Sequence, residues 1–260
     1  ACMIAPDGFL EVAGHRLEAR FIDGPRDKPV IVLLHEGLGS VSLWRDFPDL
    51  LATATGCAVL AWSRAGYGNS SSVALPRPLT YMHDEATQVL PHVIAQLAGR
   101  DHVLAGHSDG ASIAAIYAGS QPLAGLKGLV LMAPHVFVED VSIAGITAAR
   151  HAWTTTGLRD KLARHHGKNV DTAFLGWNDS WLHPDFRTWD ITGFLPSITV
   201  PVLAVQGRDD DYGTLAQLDA IEQSCAGPVT KLILDDCGHS PQKDQTANLL
   251  DAMCSFIAEL

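Results

Sequence analysis

Val103-Leu104-Ala105-Gly106-His107-Ser108-Asp109-Gly110-Ala111-Ser112-Ile113-Ala114-Ala115-Ile116-Tyr117-Ala118-Gly119 is the stretch whose reading decides the fold. Its first residues form a continuously apolar run, the pattern of a short strand buried on both faces of a parallel sheet. Ala111 to Gly119 reads as a helix of small side chains, able to pack close behind that strand and ending at glycine. Between them Gly106-His107-Ser108-Asp109-Gly110 fits Gly-x-Ser-x-Gly, in which the serine sits at a sharp strand-to-helix turn. Side chains at either glycine would crowd the neighbouring strand or helix, and the turn demands backbone angles that glycine tolerates best. The pentapeptide alone is a common pattern. Strand, turn and helix in this order make it specific.

Outward from this turn, Phe9 to Ile22 reads as an antiparallel hairpin about Ala13-Gly14. Strand–helix alternation then takes over, the mark of a mostly parallel sheet. Its apolar strands are Val30-Leu34, Ala58-Trp62, His102-Ala105, Leu129-Met132, Val202-Val205 and Leu232-Leu234, which with the hairpin make eight. Met82, Ala86, Val89, Val93 and Leu97 form one helical stripe, and Leu249, Met253, Ile257 and Leu260 another. Pro91 should kink or split the first of these helices. Residues 135–197 break the alternation with helical pieces and turns, no apolar strand, and Trp153, Trp177, Trp181 and Trp189. The expected organisation is therefore a core of residues 1–134 and 198–260, with 135–197 inserted as a helical lid over the sheet's carboxyl edge. The lid's aromatic residues, Trp153, Trp177 and Trp181 among them, are candidate walls of a substrate pocket.

At 260 residues the chain can hold one large α/β domain. A net charge of −11 argues against nucleic acid and anionic membranes as partners, because both require basic patches. No apolar run approaches the roughly 20 residues of a membrane span. Cys2, Cys57, Cys225, Cys237 and Cys254 are scattered and show no metal-ligand spacing, which suggests free thiols in a reducing compartment. The first residues lack the basic-then-apolar pattern of a secretory signal, and the chain begins at Ala1 rather than methionine, as a trimmed chain would. A cytoplasmic monomer or small homo-oligomer, with a small-molecule substrate and neither cofactor nor metal, is the expectation.

A serine hydroxyl is a weak nucleophile that needs a base to take its proton and a carboxylate to hold that base. Gly238-His239-Ser240 follows one late strand and Gly207-Arg208-Asp209-Asp210-Asp211 follows another, both at carboxyl ends where α/β sheets place their ligands. His239 is the strongest of the twelve histidines, with a glycine before it and Pro241 opening the final helix. Asp209, Asp210 and Asp211 compete for the acid. An oxyanion hole needs two backbone N–H groups. Asp109, directly after the serine, offers one, and the loop His35-Glu36-Gly37-Leu38-Gly39-Ser40 the other. His107 reads as a packing residue pointing away from the pocket, and His165-His166 as a solvated pair.

Taken together these features resemble the α/β-hydrolase superfamily over essentially the whole length. Ser63-Arg64-Ala65-Gly66-Tyr67-Gly68-Asn69-Ser70 is similar to that family's Asp-x-Arg-Gly-x-Gly-x-Ser turn, with serine in place of aspartate, and Pro201-Val202-Leu203 and Gly238-His239 also match. The resemblance implies an α/β-hydrolase fold with the lid after the sixth strand. It implies Ser108 as nucleophile, His239 as base and Asp210, the third residue after glycine, as acid, with Asp211 in reserve. Gly37 becomes the second oxyanion donor, with Leu38 as alternative, and His35, Glu36 and Leu38 candidate pocket residues. Glu36 departs from the family by replacing a glycine; its carboxylate must turn away or pair, an arginine being one partner. Asp109 is also unusual there, and its carboxylate could contact the lid or His35. The implied activity is hydrolysis of small carboxylic esters through an acyl-enzyme on Ser108. Carbon–carbon bond hydrolysis or lactone opening by the same triad is the alternative, and a non-catalytic ligand receptor a third reading. An elbow serine rather than aspartate disfavours epoxide hydrolases.

Overall fold

The computed structural model describes residues 8–120 and 124–260. Eight strands form one sheet in the order β1-β2-β4-β3-β5-β6-β7-β8. They are β1 (Phe9–Val12), β2 (His15–Ile22), β3 (Val30–Leu34), β4 (Ala58–Trp62), β5 (His102–His107), β6 (Leu126–Met132), β7 (Val202–Gly207) and β8 (Val229–Leu234). β1 and β2 are antiparallel, joined at Ala13-Gly14 where both residues take positive φ, and β2 runs antiparallel to β4. All remaining pairings are parallel. β3 and β4 are buried at every residue, and their alternate side chains feed two different cores. Val30, Val32 and Leu34 join the cluster on one face, Ile31 and Leu33 the one on the other.

Helices cover both faces: α1 (Phe47–Thr55), α2 (Tyr81–Asp84), α3 (Leu90–Ala95), α4 (Asp109–Ser120), α5 (Asp140–Thr155), α6 (Leu158–His166), α7 (Val170–Trp181), α8 (Ala216–Ser224), α9 (Pro241–Asp244) and α10 (Thr246–Ala258). Pro91 does split its helix. It has no N–H to give, and a π-turn at Glu85–Val89 separates α2 from α3. Met82, Ala86, Val93 and Leu97 of the expected stripe are buried, as are Leu249 and Met253 on α10, whereas Leu260 is exposed.

Between β6 and β7 lie α5, α6, α7 and three 3-10 turns. Among the described residues the only β pairing in that segment is one bridge, Phe137 to Asp190. Trp181, Trp189, Phe186 and Phe174 bury themselves there against the large core. The strands extend further toward the carboxyl edge than their apolar runs indicate: β5 carries on through Gly106-His107 and β7 through Gln206-Gly207. That extension brings the β5, β6, β7 and β8 ends to one rim. Cys2 lies outside the described residues; Cys57, Cys225, Cys237 and Cys254 are free thiols. No described helix is long and apolar enough to cross a membrane.

Candidate active site

Ser108 occupies the turn between β5 and α4 with φ +52°, a left-handed conformation rare for a residue bearing a side chain. The backbone pins it there: its N–H donates to Met132 O at 2.9 Å, and Ala111 N–H donates back to Ser108 O at 2.9 Å. A β-carbon on Gly106 would run into the Gly110 carbonyl, and one on Gly110 into the carbonyls of Leu34 and His35. Both glycines are therefore steric requirements of the turn.

Three loops converge on this serine. His239, between β8 and α9, has Nε2 2.9 Å from Ser108 Oγ. Its Nδ1–H donates to Asp210, with both carboxylate oxygens at 2.9 Å. Asp210, in the loop after β7, also accepts from Tyr212 N–H at 2.8 Å and Gln206 Nε2 at 3.2 Å. Burial alone would raise its carboxyl, but the His239 hydrogen bond and charge, with the Tyr212 amide, hold it below the usual range. Asp209 and Asp211 are exposed on the same loop. Of the three competing aspartates, the fold brings Asp210 to the imidazole.

A cleft of about 190 Å³ opens over Ser108. Gly37 and Asp109 both line it, and Asp109 opens α4, where first-turn N–H groups have no acceptor inside the helix. Leu38, Ile146, Trp177 and Trp181 supply its apolar wall, Glu36, His135 and Tyr212 its polar one. Trp177 presses on Gly37 so closely that a β-carbon there would sit inside the indole.

The loop at residues 35–40 is held from below by Arg64, whose guanidinium is buried and donates to His35 O at 2.5 Å and Glu36 O at 3.0 Å. His35 is not a pocket residue, contrary to expectation. Its Nδ1–H donates to Glu36 O and its Nε2 accepts the Arg64 N–H, so the ring is spent on shaping the loop. Burial, then Arg64's charge, pushes its pKa well down. Trp153 also leaves the pocket. It stacks on Phe174 of α7 at 4.0 Å, two turns along α5 from Ile146, and lies outside the cleft lining. His166, expected in solvent, is fully buried, accepting from Gly68 N–H and donating to Leu38 O; His165 bonds Ser42 Oγ at 2.9 Å. His107 was expected to turn from the pocket but edges it, with Nε2–H donating to His239 O at 2.6 Å.

Glu36 finds His107 rather than an arginine, with Oε2 3.5 Å from Nδ1. Burial would raise its carboxyl, yet His107's hydrogen bond and charge hold it well below the ordinary range. Asp109 keeps its backbone at the cleft and sends its carboxylate inward. There it accepts from Tyr81 OH at 2.5 Å and from Trp181 Nε1 at 3.2 Å, tying α4 to α7; burial raises its pKa.

His135, Tyr212 and Ile146 escape sequence reasoning. His135 is 3% exposed, lies edge-on to Trp181 at 5.1 Å, and is depressed to about 3 by burial and by His239. The available signal was positional: it stands three residues beyond β6 at the rim where ligands collect.

A model described as the alpha/beta hydrolase family matches residues 31–252. A proline iminopeptidase of Lactobacillus helveticus is 29% identical, covering 92% of this chain and 93% of its own length. Epoxide hydrolase A of Mycobacterium tuberculosis is 26% identical over 42% of this chain, a match spanning 33% of that enzyme's length. Among solved structures, the enol-lactonase from Burkholderia xenovorans superposes with TM-score 0.73 at 21% identity, covering 96% of this chain and 99% of its own. An esterase from Exiguobacterium antarcticum gives TM-score 0.75 at 20% identity, covering 96% and 98%.

Proposed function

The chain belongs to the alpha/beta hydrolase family of enzymes, and from that premise we propose that it is a serine hydrolase cleaving small carboxylic esters. The observation that carries this reading is the relay of 2.9 Å contacts from Ser108 Oγ through His239 to Asp210. In the proposed reaction His239 Nε2 takes the Ser108 proton as Oγ attacks the ester carbonyl, and Asp210 stabilises the imidazolium that forms. Backbone N–H groups of Gly37 and Asp109 receive the oxyanion. The imidazolium then passes its proton to the departing alkoxide, leaving an acyl group on Ser108. Water, deprotonated by the same nitrogen, releases the acid and restores the serine.

Residues 135–197 act in this reading as the lid, with Trp177 and Trp181 over the acyl group. The cleft's volume of about 190 Å³ and its apolar wall of Leu38, Ile146, Trp177 and Trp181 favour a short acyl or aryl ester. Free thiols at Cys57, Cys225, Cys237 and Cys254 favour a reducing compartment such as the cytoplasm.

The test combines fluorophosphonate labelling with a panel of nitrophenyl esters, lactones and diketone ring-fission products. We expect labelling at Ser108, turnover concentrated on short esters, and a loss of at least about a thousandfold in kcat for Ser108→Ala. Undiminished turnover by that variant would refute the mechanism. Turnover confined to lactones or diketones would keep the triad and replace the substrate class.

A further inference from the structure

His107 touches two of the loops that the reaction needs, and it is itself the neighbour of the nucleophile. Its Nε2–H donates to His239 O at 2.6 Å; a carbonyl can only accept, so this nitrogen carries the hydrogen. On the other side of the ring, Nδ1 lies 3.1 Å from Gln242 Nε2 on α9 and 3.5 Å from Glu36 Oε2. The ring is 1% exposed, so it has no water to fall back on. Glu36 in turn immediately precedes Gly37, and its side chain folds over Gly39, where a β-carbon would collide with Oε2. One imidazole thus clamps the base loop and the 35–40 loop to the strand that ends in Ser108.

Resting on the serine-hydrolase reading above, we propose that Glu36 and His107 form a positioning pair for the reaction. His107 fixes the backbone that carries His239, Gln242 holds the His107 ring with Glu36 packed against the same edge, and the Glu36 carboxylate favours the positive charge that builds on His239 in the transition state. The two histidine rings are 5.3 Å apart, so the carboxylate stands one ring beyond the base. Other groups share this field. Asp210 at 2.9 Å, with His135 and Tyr212 at ring distances of 5.6 and 4.7 Å, face His239; His35 and Lys243 act on Glu36, and Glu36 acts on His166. These groups are unchanged in a Glu36→Gln variant, so the difference from wild type isolates the one carboxylate. It also accounts for the departure noted in the sequence, an acidic residue beside the oxyanion donor.

The experiment compares wild type, Glu36→Gln and Glu36→Asp on a short nitrophenyl ester from pH 5 to 9. Glu36→Gln should lower kcat about tenfold with KM within twofold, because the charge acts only as His239 becomes cationic. An anion near an imidazole favours its protonated form, so removing it should move the acid limb of the kcat/KM profile to lower pH. Glu36→Asp, retaining the charge, should return the limb toward its wild-type position. A kcat and acid limb unchanged in Glu36→Gln, or an effect on KM alone, would overturn the proposal. A Glu36→Gln protein that melts early hands the comparison to Glu36→Asp, whose limb must then match wild type, or the proposal fails. Fluorophosphonate labelling of wild-type Ser108 separates this from failure of the hydrolase reading itself: no labelling defeats that reading, whereas normal labelling with an indifferent Glu36→Gln defeats only the positioning pair.

Discussion

A methyl group added at Gly37 would enter the indole of Trp177, the residue that closes the cleft on that side. The clash is with a side chain, so the protein can yield by moving Trp177 or the loop rather than by unfolding. Either movement displaces the proposed oxyanion donor from the site beside Ser108. Gly37→Ala is therefore expected to lower kcat about a hundredfold, the usual scale for one lost donor, with a melting temperature within a few degrees of wild type. Steady-state kinetics and a thermal melt on the same preparation check both halves; full activity would remove Gly37 from the site. Ser108, His239 and the glycines of the turn were legible in the sequence because sterics and loop order allow little else. His135 was not, since a single histidine after a strand carries no spacing signal. His107 was misread for a related reason. Alternation along β5 turns its side chain away from Ser108, yet the ring returns to the rim by bonding the His239 backbone, a partner 132 residues away.

Helices α4 and α7 meet through one buried carboxylate. Asp109 accepts from Tyr81 on α2 and from Trp181 on α7, and the tyrosine oxygen lies 3.1 Å from the indole nitrogen, closing a triangle. All three side chains are at most 4% exposed. Asp109→Ala would strand the buried Tyr81 hydroxyl proton without water, at about 1–3 kcal/mol, whereas the indole N–H keeps the Tyr81 oxygen as acceptor. The expected result is a cooperative loss of about 1–3 kcal/mol in denaturant unfolding, together with a rise in KM as Trp181 loosens in the cleft wall. Equal stability of Asp109→Ala and wild type would show that the triangle holds nothing. The strands and the Pro91 break could be read from apolar runs and one proline, since both follow from local chemistry. The face presented by each helix between β6 and β7 could not. Trp153 and Trp177 look equivalent in sequence, but one stacks on Phe174 of α7 while the other reaches the cleft, a difference decided by how α5 and α7 pack.

Across the fold, histidines are buried in places that suit only the neutral ring. His35, His135 and His166 lie around the cleft and His102 at the start of β5; each is at most 3% exposed, and burial is the leading cause that lowers each pKa. The unfolded chain protonates these rings near 6.5. For His135, held at about 3, the unfolded state therefore binds a proton that the folded state refuses across the interval from about 6.5 down to about 3. Stability must rise with pH through that window, by up to about 1.4 kcal/mol per pH unit for a single such group, and fall on acidification. The other three act with the same sign. Asp210, also lowered, adds its own loss only at more acidic pH, below the unfolded carboxylate value of about 3.9. Melting temperature should thus fall between pH 6.5 and 5, before Asp210 is protonated, while Asp109 and Glu85, whose carboxyls burial raises, act with the opposite sign. His135→Phe should flatten that slope by about one group's share, since Nδ1 has no partner to lose and phenylalanine keeps the edge contact with Trp181. A melting temperature independent of pH over this interval, or a His135→Phe slope identical to wild type, would mean that these rings take up protons without unfolding the protein, and that the rim around Ser108 admits far more water than its packing indicates.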